Sequence, residues 1–492
     1  MTTITTSTAG TSGTAAPAAA EFSAAPDRLP LTITAAAAAL RDGSLTSTAL
    51  LRAVTARAER LDASIGTYIV RTDEAAQAAA ARADEELAAG IDRGPLHGIP
   101  LGVKDIIATS DAPSTAQSLI LDPAFGAQGD AVVVSRLRAA GAVITGKTTT
   151  AEYAIGMPDP GKGFPTPRSP YALDHYPGGS SSGTGSGVAA GMFLGGLGTD
   201  TGGSVRLPAS WCGVTGMKQT FGRVPKSGCV PLGFSYDNIG PLTRSARDAA
   251  AMLAVMAGHD GSDPCSADRP VDDYTGALTG SVEGLRIGVD TSLLDRPACD
   301  PEVAALTRAA LDVLAAAGAV VSEIRLPLWD ELVTAAMSGF MAEAFAYHRG
   351  DLGARWNDYG RPTRGTLALG ALVTGPDYVQ TQRVRRAGVK AMAELLTTQD
   401  LLVTPTCLTP SIPLDELSLA TLAPSILTPY WNSLGNPAMS VPMGLTSAGL
   451  PVGLQLAGRP FEETTVFRAA DAFQSLTGHH LTESPIVKEL LA

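Results

Sequence analysis

The feature that most limits what this chain can fold into is a run of very small side chains set among apolar ones. Between Pro177 and Ser204 glycine, serine, threonine and alanine dominate, in Pro177-Gly-Gly-Ser-Ser-Ser-Gly-Thr-Gly-Ser-Gly187 and again in Gly198-Thr-Asp-Thr-Gly-Gly-Ser204. Glycine is costly to order in regular structure, so serial hydroxyls bracketed by glycines are expected to form tight loops. A solvated Ser/Gly linker is the plain alternative. Against it, Val188-Ala-Ala-Gly-Met-Phe-Leu194 follows at once, so the loop leads into a buried element.

Around this run the chain alternates two periodicities. Ala-rich segments with helical spacing are expected as helices at 46–62, 72–90, 130–140, 246–258, 301–317, 328–349, 377–398 and 462–476. Thr46 and Asp130 stand as N-caps, and Gly141 and Gly318 as C-terminal stops. Short β-branched runs predict strands at 99–103, 142–145, 285–289, 319–323, 401–404, 439–442 and 452–456. Helix-then-strand pairs such as 130–145 and 301–323 imply an α/β fold with a large mixed sheet. One domain is expected over 28–492, with a helical insertion at about 325–400, after a disordered tail at 1–27 that carries almost no charge before Glu21.

Charge and cysteine narrow the function. With 17% charged residues and a net charge of −12, nothing suggests a phosphate-binding footprint, so no nucleic-acid partner is expected. Five scattered cysteines give neither a disulfide framework nor a C-x-x-C pair, which fits a reducing cytoplasm. No two of the six histidines have ligand spacing, so no metal is expected. The weakly polar stretch Gly187–Gly198 is too short to cross a bilayer, and no membrane partner is expected.

Three motif matches carry little. Gly141-Ala-Val-Ile-Thr-Gly-Lys-Thr148 fits a phosphate-binding loop, but Ala-Val-Ile-Thr prefers a buried strand to a flexible loop. Gly185-Ser-Gly-Val-Ala-Ala190 fits a dinucleotide pattern without the preceding strand. Gly179-Ser-Ser181-Ser-Gly183 fits a nucleophile elbow around Ser181, yet residues 171–178 are no apolar strand and the late pair His479-His480 sits in a terminal turn.

Chemistry concentrates in three places. Lys104 lies in Gly98-Ile-Pro-Leu-Gly-Val-Lys-Asp-Ile-Ile107, apolar on both sides, where a charged ammonium is costly and burial lowers its pKa. Asp105 is its obvious partner, but neighbours on a strand point to opposite faces. The serine loop supplies hydroxyls. In Thr201-Gly-Gly-Ser204 the glycines free backbone N–H groups that could converge on an oxyanion, and Ser204 is placed as a nucleophile in need of a base.

These segments resemble the amidase signature family. The matching block reads Gly178-Gly-Ser-Ser-Ser-Gly-Thr184, Gly198-Thr-Asp-Thr-Gly-Gly-Ser-Val-Arg-Leu-Pro-Ala209 and Cys212-Gly-Val-Thr-Gly-Met-Lys-Gln-Thr-Phe-Gly-Arg223. Gly435-Asn-Pro-Ala-Met-Ser-Val-Pro-Met-Gly444 and Gly449-Leu-Pro-Val-Gly-Leu-Gln455 match as well. The resemblance implies a large mixed twisted sheet covered by helices on both faces. It implies Ser204 as nucleophile, Ser180 as bridging serine after a cis Gly179–Ser180 peptide, and Lys104 as ultimate base. Thr201, Gly202, Gly203 and Ser204 would supply oxyanion N–H groups; Ser181, Thr199, Asp200 and Arg206 would hold the two loops. No cofactor is implied.

The activity so implied is hydrolysis of a carboxylic amide through an acyl-enzyme, with a small-molecule amide or carbamate as partner and a homodimer left open. A carbamate or ester hydrolase is the alternative. The catalytic A component of a tRNA-dependent amidotransferase is less favoured, because Leu207 stands where those proteins usually carry Gln. Ser182 and Thr184 depart from the more usual Gly and Ser, so the serine loop is expected to be stiffer or to line the pocket differently. Pocket walls are expected from 124–130, 156–170, 325–385 and 407–432, with Phe125, Tyr153, Phe164, Trp356, Tyr359, Tyr430 and Trp431 as candidate aromatics.

Overall fold

Among the described residues eleven strands assemble into one mixed sheet: β1 (Tyr68–Arg71), β2 (Pro100–Lys104), β3 (Val143–Thr148), β4 (Gly195–Asp200), β5 (Thr215–Lys218), β6 (Asn238–Thr243), β7 (Arg286–Val289), β8 (Val320–Glu323), β9 (Leu401–Pro405), β10 (Ala438–Leu445) and β11 (Pro451–Ala457). The structure is a computed structural model and describes residues 29–492; the tail expected at 1–27 lies outside the described residues. The sheet order is β1-β3-β2-β4-β6-β5-β10-β11-β9-β7-β8. β2 runs parallel to β3 and β4, and β7 parallel to β8 and β9; the other pairs are antiparallel. Helices cover the sheet, and strands far apart in sequence share it.

The seven expected strands are all present, and each expected helix is found within a few residues. Val143–Thr148 is a wholly buried strand, as its β-branched content required of the phosphate-loop look-alike. Thr46 caps its helix by accepting from the Ala49 N–H. Asp130 does not cap: Ala131 occupies that position, while Asp130 accepts from the Ser110 N–H and pairs with Arg138. A side chain already held by an arginine is not available to the helix end.

The larger correction concerns the small-residue run. Ser182–Ala190 is an α-helix and Gly195–Asp200 is a central strand, both fully buried. The glycines are there for close approach. A Cβ on Gly183 would stand 2.3 Å from the Thr67 carbonyl oxygen, and one on Gly198 would stand 2.7 Å from Ser181 Oγ. Tertiary contact thereby overrides the poor intrinsic propensity. Helix 182–190 sits directly on β2, β3 and β4 because neither side presents a bulky group.

Gly183→Ala should therefore destabilise through overpacking by about 1–3 kcal/mol, lowering Tm by about 1–3 °C in a chain of this length. Gly350→Ala, in helix Trp329–Ala354 with nothing within 4 Å of a Cβ, should leave Tm unchanged or raise it. Thermal unfolding of the two variants checks the contrast.

Candidate active site

Lys104 ends β2 and is fully buried. Its Nζ donates to Ser180 Oγ at 2.7 Å and to Thr199 Oγ1 at 2.7 Å. No carboxylate among the described residues pairs with it. Asp105 points the other way, pairing with Lys147 Nζ at 3.3 Å and accepting from the Thr115 N–H, so it anchors local structure as the strand alternation suggested. Burial lowers the Lys104 pKa to about 7, although Cys229, Asp200 and Asp237 pull it back towards the charged form. At neutral pH a substantial fraction of this amine is unprotonated and can accept a proton.

Ser180 precedes helix 182–190 and follows a cis Gly179–Ser180 peptide. The Ser181 N–H donates to the Ser204 carbonyl, which ties the serine loop to the loop after β4. Ser181 Oγ donates to the Thr199 carbonyl and accepts from the Thr199 N–H, so it is occupied in bracing and unsuited to attack. Ser204 is half-buried and faces the same cavity as Ser180.

The loop from Thr201 to Arg206 is organised by one carboxylate. Asp200 is buried against Arg206, with Nε to Oδ2 at 2.9 Å and Nη2 to Oδ1 at 2.8 Å. Burial alone would raise its pKa, but Arg206 and the Asn432 amide outweigh that and hold it at about 2. The same carboxylate accepts from the N–H groups of Gly203 at 2.9 Å and Val205 at 3.2 Å. This corrects the expected oxyanion set: the Gly203 N–H is committed to Asp200. Among the described residues the N–H groups of Thr201, Gly202 and Ser204 have no acceptor. Gly203 keeps a steric role, since at φ +129° its missing Cβ leaves room for Thr428, whose Oγ1 donates to the Gly202 carbonyl at 2.6 Å.

Several supports were not legible as site residues. Thr201 Oγ1 donates to Asp237 at 2.5 Å, and Arg206 also donates to Gln455 Oε1 at 2.7 Å and to the Thr428 carbonyl at 3.1 Å. Gln455 lay inside a matching segment; Asp237 and Thr428 had no local pattern at all. Ser182 and Thr184 do not line the cavity. Ser182 Oγ donates to Tyr176, and Thr184 Oγ1 bonds Thr148 Oγ1 at 2.8 Å and the Leu197 carbonyl at 3.1 Å, so the extra hydroxyls fasten the helix.

The cavity over the serines is walled mainly by apolar side chains: Tyr176, Leu207, Phe340, Met341, Leu422 and Ile426 stand out. No charged side chain among the described residues lines it. Segments 156–170, 325–385 and 407–432 contribute as expected, and 124–130 does not. None of the candidate aromatics reaches it. Tyr153 packs on His348 and Tyr359, and Tyr430 stacks on Trp329 at 4.6 Å, so these rings build core.

Burying Lys104 has a thermodynamic signature. Between pH 7 and 10.5 the unfolded chain binds a proton at this lysine that the folded chain does not, so native stability rises with pH across that window. Lys104→Met removes the effect. The variant should gain stability relative to the native chain at pH 7, with a gain that shrinks towards about pH 10, measured by denaturant unfolding at each pH. A pH-independent difference would show that the lysine is not held neutral.

Comparison with known proteins agrees with this architecture. The Amidase family profile matches residues 49–467. The A component of glutamyl-tRNA(Gln) amidotransferase from Chloroflexus aurantiacus is 39% identical over 481 residues, covering 92% of this chain and 98% of that protein. Native peptide amidase from Stenotrophomonas maltophilia superposes with a TM-score of 0.78 at 31% identity, covering 91% of this chain and 97% of that one. A chain from a vestigial protein complex that bears on the origins of an s-triazine catabolic enzyme gives a TM-score of 0.85 at 28% identity, covering 91% and 98%. With the profile spanning most of its length, the chain belongs to the amidase signature family.

Proposed function

We propose that the protein hydrolyses the C–N bond of a neutral carboxylic amide through an acyl-enzyme on Ser204. The observation that carries this reading is the buried Lys104, whose side-chain hydrogen-bond partners among the described residues are the hydroxyls of Ser180 and Thr199 alone. A neutral Lys104 takes the Ser180 proton while Ser180 takes that of Ser204, whose Oγ adds to the carbonyl carbon. The N–H groups of Thr201, Gly202 and Ser204 hold the oxyanion, each worth a few kcal/mol. The relay then runs in reverse: the amine leaves with a proton, and water attacks the ester to release the acid and restore Ser204. Carbamates and esters can enter the same sequence, since only the groups flanking the carbonyl change.

A second reading, the A component of a tRNA-dependent amidotransferase, is favoured by the 39% identity to the Chloroflexus protein. Against it stand Leu207 in the cavity wall, the uncharged lining and the net charge of −12, which is ill suited to holding tRNA.

Incubation of the purified chain alone with aliphatic amides, anilides, peptide amides, carbamates and esters separates the readings. The hydrolase reading expects turnover of at least one apolar amide without ATP or added protein components; ammonia transfer to tRNA that needs both would favour the amidotransferase. For whichever substrate is cleaved, Lys104→Ala should lower kcat by about 10²–10⁴-fold with the fold retained. Full turnover in that variant at neutral pH would remove the lysine from the mechanism.

A further inference from the structure

The phenol of Tyr176 is an unusual group to find in this cavity. The ring is buried, edge-on to Trp211 at 6.4 Å, and its backbone N–H donates to the Ile412 carbonyl, so its position is fixed from two sides. The hydroxyl rests on the peptide that carries Ser180: a Cβ built on Gly179 would lie 1.9 Å from the phenolic oxygen. Only glycine at 179 lets the phenol sit there.

The hydrogen bonding is lopsided. Ser182 Oγ donates to the phenolic oxygen at 3.3 Å, which fills an acceptor site on Tyr176. The phenol's own O–H has no acceptor among the described residues. Burial also raises its pKa to about 12, so it stays protonated in the range where the enzyme would work. Apart from the two serines of the relay, Thr366 is the other hydroxyl of the lining, and its proton goes to the Pro362 carbonyl at 3.0 Å. The cavity thus offers a neutral substrate one unsatisfied side-chain donor, placed beside Ser180. A buried donor without a partner is costly, and a ligand oxygen that meets it recovers that cost.

We propose that Tyr176 is a specificity-determining residue which donates a hydrogen bond to an acceptor oxygen on the acyl side of the scissile carbonyl. The preferred substrates are neutral amides or carbamates with an ether, alkoxy or second carbonyl oxygen close to that carbon, rather than plain alkyl amides. The assignment rests on the amide-hydrolase reading above and narrows its substrate class.

The test exchanges one CH2 for one oxygen at constant shape, comparing pentananilide with ethoxyacetanilide in the native chain and in Tyr176→Phe. Intrinsic reactivity differs between the two anilides but cancels between the two proteins. The ratio of kcat/KM, oxygen-bearing over alkyl, is expected to fall about 5- to 10-fold in Tyr176→Phe, with pentananilide little affected. An unchanged ratio, or an equal loss for both substrates, overturns the proposal. The same two ligands are titrated into Ser204→Ala with and without Tyr176→Phe. If neither anilide is turned over, the hydrolase reading fails for this class, and the ratio of dissociation constants then decides the role of Tyr176 by the same criterion. Failure of ethoxyacetanilide to bind overturns the proposal outright.

Discussion

A lysine sealed at the end of a central strand, with hydroxyls as its only hydrogen-bond partners among the described residues, is the constraint around which the rest of this molecule is arranged. Desolvation favours the neutral amine, and without a paired carboxylate nothing restores the charge in full. The contrast with Lys147 one strand away is instructive. That lysine is equally buried, but it meets Asp105, Ser114 and the Ile107 carbonyl, and so serves as an internal tie. Burial lowers the pKa of both lysines, but among the described residues only Lys147 is paired with a carboxylate.

Holding the amine against Ser180 requires three backbone segments to meet with almost no side-chain volume between them. The run at 178–203 meets that need. Helix 182–190 lies on β2 and β4 across glycines, Ser181 bonds both polar groups of the Thr199 backbone, and the Asp200–Arg206 pair draws the Thr201–Ser204 loop into a fixed turn. A buried ion pair is weak evidence for stability in itself. Here its carboxylate also accepts backbone N–H groups, so its contribution is to shape: it decides which donors remain free to face the cavity.

The candidate site was legible because each part of it is local: Lys104, the serine loop and the Gly-Gly-Ser segment each show unusual residue types in a short window. The amphipathic helices and β-branched strands were legible for the same reason. What escaped depends on long-range contact. β4 and helix 182–190 have no periodicity to read, since their glycines answer to Thr67, Ser181 and Leu242 rather than to neighbours in sequence. Asp130 looked like a cap because its arginine partner lies a helix away at Arg138, and Gly203 looked like an oxyanion donor because only the folded loop directs its N–H to Asp200. The rings of the cavity walls escaped, although three of the four expected wall segments contribute. The walls come from widely separated segments, so aromatic content in the chain said little about which rings would face a substrate.

The central claim is that a neutral Lys104 activates Ser204. The most direct measurement is the pH dependence of covalent labelling by a fluorophosphonate, with the modified residue located by mass spectrometry. The account predicts a label on Ser204, with a second-order rate constant that rises through pH about 7 to a plateau and collapses in Lys104→Met. A label on Ser181, or a rate on Ser204 that ignores both pH and the loss of the lysine, would contradict it.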